Sequence, residues 1–154
     1  MSSDGVRVIA RNRKARHEYF LEDQFEAGLV LRGTEIKSIR AGRVSLKEAY
    51  VRLDGREAWL ENAHIAPYDP ASSMNHDPRR SRKLLLHRRE INKLFDQTRK
   101  KGYTVVPLQM VLRRGKAKVE IALGRGKKQY DKRRELAKRA AQRDVDRALS
   151  QRGR

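Results

Sequence analysis

The strongest constraint on what this chain can fold into lies at its C-terminal end, "GRGKKQYDKRRELAKRAAQRDVDRALSQRGR", residues 124 to 154. From Arg125 onward, thirty residues carry twelve Lys or Arg against four Asp or Glu, a local charge of +8. On a helical projection, Lys132, Arg139, Arg143 and Arg147 fall in a stripe roughly 80° wide. Leu136 lies near that stripe, whereas Val145 and Leu149 lie almost opposite it. The apolar residues therefore share no face with which to dock on a core. Ala137, Ala140, Ala141 and Ala148 favour helix, and Glu135 to Arg139 is a favourable i,i+4 pair. An isolated helix of this length is still marginal in water. The segment is expected to be disordered when free and helical along a polyanion. Any core must come from residues 1–123, so the chain divides into a body, 1–123, and a basic tail, 124–154.

The body is long enough for one domain with a modest core. Of the 154 residues, 38% are hydrophobic and 37% charged. The absence of cysteine excludes disulfides and thiolate metal sites and fits an intracellular setting. "MSSDGVRVIARNRK" lacks the apolar run of a signal peptide, and no segment approaches the ~20 apolar residues of a membrane span. A soluble, cytoplasmic protein is expected. The formal net charge is +19, with a pI near 10.9. Self-repulsion of that size disfavours a lone compact protein and points to a polyanionic partner, nucleic acid above all. An anionic membrane surface would call for an amphipathic helix with bulky anchors, which the tail lacks.

Along the body, "HEYFLEDQFEAGLVLRGTEIKSI" suits one or two strands followed by a short helix. In that helix Thr34 is the candidate cap, Ile36 and Ile39 share a face, and Gly42 ends it. "AYVRLDGREAWLEN" reads as a hairpin with Asp54-Gly55 as a two-residue turn. Residues 66–82 hold three of the four prolines and read as a loop. Leu84, Leu85 and Leu86 finish a strand. "RREINKLFDQTRKK" is a helix with Ile91, Leu94 and Phe95 inward, Lys100 and Lys101 in its last turn, and Gly102 as its stop. A second hairpin follows, turning at "RRGK", with Pro107 marking an edge or a bulge. Five to seven short strands with two or three short helices suggest a mainly β protein. The best match is a small, closed or partly closed antiparallel barrel of OB type, with an antiparallel sheet carrying helices on one side as the runner-up.

Catalysis is poorly supported. His17, His64, His76 and His87 show no close ligand spacing, and "NHD" at 75–77 sits in the proline-bounded loop. No spaced carboxylate pair and no phosphate-binding glycine loop is present. Neither an enzyme activity nor a cofactor or metal is expected. RNA binding is better supported. "RNRKAR" groups Arg11, Arg13, Lys14 and Arg16 around Asn12, and "RRSRK" groups Arg79, Arg80, Arg82 and Lys83. Both could neutralise phosphates, while Tyr19, Phe20 and Trp59 could stack on unpaired bases or serve the core.

Three blocks, "NRKARHEYFLEDQFEAGLVLRGTEIKSIRAG", "NHDPRRSRKLLLHRREI" and "GRGKKQYDKR", resemble the SsrA-binding protein family, also called small protein B. The resemblance covers roughly residues 8–150. It implies a non-enzymatic adaptor, monomeric when free, on an OB-type barrel. Such an adaptor binds the tRNA-like domain of transfer-messenger RNA and accompanies it to stalled ribosomes for trans-translation. The implied RNA face includes Asn12, Arg13, Arg16 and His17, joined by Glu26, Lys83, Leu85 and Lys118; Lys14 belongs to the same basic cluster. Gly126, Lys127, Lys128, Tyr130, Asp131, Lys132 and Arg133 match the part of the tail implied to act at the small-subunit decoding centre, with the tail helical in an empty mRNA channel. Many members of the family carry histidine where this chain has Tyr130. Both rings can stack, but tyrosine cannot serve as a cation near neutral pH.

Overall fold

The computed structural model describes residues 5–69, 74–127, 140, 142 and 143. Its strands are β1 (Val6–Arg11), β2 (Tyr19–Leu29), β3 (Val44–Ser45), β4 (Tyr50–Leu53), β5 (Ala58–Glu61), β6 (His64–Ile65), β7 (Arg82–Leu85), β8 (Tyr103–Arg113) and β9 (Lys116–Gly126). Among the described residues, the helices α1 (Ala15–Glu18), α2 (Gly33–Arg40) and α3 (Arg88–Thr98) accompany them. Seven strands form one antiparallel sheet in the order β1-β8-β9-β2-β7-β5-β4, and β3 pairs with β6. The expected mainly β, antiparallel architecture with few helices is the observed one. The sheet stays open, for no ladder joins β1 to β4 among the described residues.

Three long strands form the centre. The β8–β9 hairpin turns at Arg114 (φ 52°) and Gly115 (φ 78°), both left-handed, the geometry a two-residue primed turn demands. Pro107 lies in an interior strand, where its missing N–H is accommodated by a register shift between Pro107 and Gln109. Inward-facing Ala27, Leu84, Leu60, Met110, Val119 and Ile121 build the main core. A smaller cluster of Ala15, Val106, Leu108 and Ala122 lies under α1, with Tyr19 and Leu21 packed against it.

Several local expectations change. The β4–β5 connection uses four residues, because Asp54 Oδ1 accepts from the N–H groups of Arg56 (2.9 Å) and Glu57 (2.7 Å) and widens the turn. Thr34 does not cap α2: the cap is Arg32, and the Thr34 hydroxyl is spent on His76. Instead Glu35 Oε1 accepts the Arg32 N–H at 2.8 Å. Ile91 and Leu94 are buried beneath α3 as the periodicity predicts, but the helix ends at Thr98, leaving Lys100 and Lys101 beyond its last turn. β1 is a strand where only a crowd of basic residues was evident. β9 runs on to Gly126, so residues 124–126 of the tail segment lie in the sheet.

Candidate nucleic-acid interface

The bulge at Pro107 positions the first group of candidates. It frees the Pro107 carbonyl, which accepts from Asn12 Nδ2 at 2.9 Å, while the Asn12 N–H donates to Leu108 O at 2.8 Å. Asn12 is thus tied to β8 through backbone and side chain. Beside it Arg13, Arg16 and His17 line a hollow with Gln109 and Glu120. Lys14 faces a neighbouring hollow between the β1 end and β3, which Asn12 and Arg13 also border.

The second group gathers through sheet register. Glu26 and Gly28 on β2, Lys83 and Leu85 on β7, and Lys118 on β9 line one groove of about 540 Å³, closed at one side by His87 and Arg88 at the start of α3. Gly28 pairs with both Leu85 and Lys118. A Cβ there would sit 3.3 Å from the Leu85 Cβ and 3.5 Å from the Lys118 Nζ, so glycine keeps the groove floor open. Leu85 is 52% exposed, an apolar side chain left in water amid cations. Lys83 reaches Glu57 at 3.0 Å with both side chains about two-fifths exposed, a pairing of small net worth. The two groups meet across the β2–β9 ladder, where Glu26 lies directly opposite Glu120. Like charges in that position repel. Each has its own partner on β8: Arg113 forks onto both Glu26 oxygens at 3.0 and 2.8 Å, and Gln109 Nε2 donates to Glu120 at 2.8 Å.

Of the tail candidates, Gly126 closes β9, its N–H donating to Gly102 O at 3.2 Å. Lys127 Nζ donates to the Arg16 carbonyl at 2.8 Å and lies 5.1 Å from the centre of the Phe20 ring. Lys128, Tyr130, Asp131, Lys132 and Arg133 lie outside the described residues. Among the aromatics, half-exposed Phe20 borders the interface with Arg125 over its ring at 5.6 Å. Tyr19 packs on the smaller core, and Trp59 is half-buried beneath the Arg52 guanidinium.

The "RRSRK" run is not one phosphate patch. Arg82 is fully buried: Nε donates to Glu35 at 2.5 Å and its terminal nitrogens donate to the carbonyls of Ala63, Asp77 and Pro78. Arg80 donates to the other Glu35 oxygen, and Arg79 to Asn62. Burial pushes the Glu35 carboxyl up, but donors from Arg80, the Arg32 backbone and Arg82 outweigh it and hold the group below the usual carboxylate range. His76 is buried too, its Nε2–H donating to Ile65 O (2.8 Å) and its Nδ1 accepting from Thr34 (2.9 Å). Both ring nitrogens are thus engaged, tying His76 to Thr34 on α2 and to Ile65 on β6. Among the described residues, no group of three or more His, Asp or Glu side chains is arranged to hold a metal. No described helix is long and apolar enough to cross a membrane.

A family model described as "SmpB protein" matches residues 9–151. The chain belongs to the SmpB family. It is 55% identical over 146 residues to the SsrA-binding protein of Geobacillus thermodenitrificans, covering 95% of this chain and 94% of that protein. With the SsrA-binding protein of Roseiflexus castenholzii it shares 58% over 149 residues, covering 96% and 94%. A solved chain from the structure described as "tmRNA-SmpB: a journey to the center of the bacterial ribosome" is similar at 47% identity, with a TM-score of 0.65 over 80% of this chain and 85% of that one.

Proposed function

We propose that this chain is a non-enzymatic cytoplasmic adaptor that binds the tRNA-like domain of transfer-messenger RNA and brings it to stalled ribosomes for trans-translation. The observation that carries this reading is the Glu26–Lys83–Leu85–Lys118 groove, with the Asn12–His17 hollow beside it. Lys83, Lys118, Arg13 and Arg16 neutralise phosphates. Leu85 packs against an unpaired base. Glu26 and Asn12 meet base edges or ribose hydroxyls, donors that phosphates do not offer. Membership of a family whose relatives are called SsrA-binding proteins supports the choice of RNA.

In this reading the chain has two working parts, the body and the tail. The tail enters the vacant mRNA channel beside the decoding centre, where Lys128, Lys132 and Arg133 meet rRNA phosphates and Tyr130 stacks on a base. A segment that folds only on its partner can report whether that channel is empty.

The test is a truncation that ends at Lys127, which spares β9 and the Lys127–Arg16 contact. Binding of the truncated protein to the tRNA-like domain should stay within about threefold of the full chain, while peptide tagging on stalled ribosomes should be lost; within such a change the difference in binding free energy is under about 0.7 kcal/mol. Loss of RNA affinity on truncation would mean that the tail is a general electrostatic anchor. Equal affinity of the full chain for an unrelated structured RNA would mean a general RNA-binding protein.

A further inference from the structure

We infer that the tip of the β8–β9 hairpin is a second phosphate-binding site, which takes the backbone of the RNA held in the Lys118 groove; the identity of that RNA rests on the function proposed above. Arg113, Arg114, Lys116 and Lys118 line one hollow at this tip. Lys118 also lines the Glu26 groove, so the two cationic surfaces are continuous. Lys116 and Lys118, two residues apart on one strand, project from the same face about 6.8 Å apart. That spacing is of the order of the step between neighbouring phosphates of one strand. Among the described residues the lining holds no aromatic or apolar side chain, so the site fits the sugar–phosphate backbone rather than a base.

Arg114 supplies an independent reason. It occupies a left-handed position (φ 52°) that a primed turn normally fills with asparagine or glycine. A long cationic side chain is a poor choice there on conformational grounds alone. Strain of this kind is retained where the side chain has work to do. The Arg114 backbone is pinned, its N–H donating to Gly5 O at 3.2 Å, while the residue itself is exposed. Neither Arg114 nor Lys116 has a carboxylate within ion-pair distance among the described residues, in contrast to Arg113 on Glu26. These two cations are therefore available to a phosphate.

The experiment uses the full chain with Arg114→Asn, Lys116→Gln and the double variant, measuring affinity for the tRNA-like domain across a salt series. Each lost phosphate contact should flatten the slope of log K against log salt by about 0.7 to 0.9 and weaken binding roughly five- to eightfold near 0.1 M salt. Arg114→Asn should melt no lower than the parent, since asparagine suits the turn. Lower affinity at undiminished stability is an outcome that misfolding cannot produce. An unchanged slope in the double variant, or weaker binding with no change in slope, overturns the inference. Wild-type preference for the tRNA-like domain over an unrelated tRNA-sized RNA is measured alongside. Its absence sinks the proposed function, while the comparison of slopes still decides the hairpin site.

Discussion

Replacing Arg82 with Leu removes the cation of a buried network and tests what anchors the strand that carries Lys83 and Leu85. Breaking one side of a buried ion pair costs about 3–5 kcal/mol. The hydrogen bonds narrow that range. Without Arg82, Glu35 keeps Arg80 and the Arg32 N–H. The Asp77 and Pro78 carbonyls keep donors from Arg80 N and Ile65 N, while the Ala63 carbonyl loses its Arg82 donor. The loss therefore belongs near 3 kcal/mol. Glu35→Leu is the harsher change, near 5 kcal/mol, because Arg82 then stays buried with only carbonyls for partners. The double variant should lose less than the sum of the two. Urea unfolding followed by the fluorescence of Trp59, the only tryptophan, reads these values at constant m. Acid adds a second signature. The folded Glu35 carboxyl lies below its ordinary value of 4.5, so its stabilisation is complete above about pH 4.5 and is lost as pH falls through the folded value. Glu35→Gln removes that part of the acid response. A cost under about 1 kcal/mol for Arg82→Leu, or a gentler effect of Glu35→Leu, would refute the reasoning.

Gly124→Ala places a Cβ 3.2 Å from the Tyr19 Cβ, which is fixed to its backbone, and 3.2 Å from the ring Cδ1. It should cost about 1–3 kcal/mol in urea unfolding. Leu85→Ser, at a half-exposed position, should leave the unfolding midpoint nearly unchanged while weakening binding to the tRNA-like domain at least tenfold, a change of about 1.4 kcal/mol by titration. Arg113→Ala should weaken binding by way of Glu26. In a double-mutant cycle, adding Glu26→Gln to Arg113→Ala should cost less than Glu26→Gln alone, and fully additive losses would mean the two side chains act separately.

Legibility followed the range of the interactions. α3 was evident because Ile91, Leu94 and Phe95 repeat within one helix, and the β8–β9 hairpin because "RRGK" is a local turn signal. β1 is hidden in the sequence because "VRVIAR" places cations in a strand whose ladder partner among the described residues, β8, lies about a hundred residues downstream. The Asn12–His17 cluster is contiguous and could be read directly. Glu26, Lys83, Leu85 and Lys118 are brought together by register through β2, β7 and β9, so in the sequence family resemblance alone connects them. Arg82 reads as a phosphate ligand in the sequence because a cation's role depends on its partner. That partner, Glu35, lies on α2, 47 residues away.

This division of the arginines bears on how a protein of charge +19 could choose one RNA. Exposed cations attract every phosphate strand almost equally, so they supply affinity without discrimination. A carboxylate among them does the opposite: Glu26 repels phosphates and favours donors such as ribose hydroxyls or base amino groups. It can do so only while fixed in place. The Arg113 fork fixes it, with one donor on each carboxylate oxygen. Under the proposed function, an RNA strand crossing Lys83 and Lys118 binds in one register, with a donor rather than a phosphate over Glu26. Selectivity then depends on an ion pair between strands β2 and β8, which only the folded sheet brings within reach.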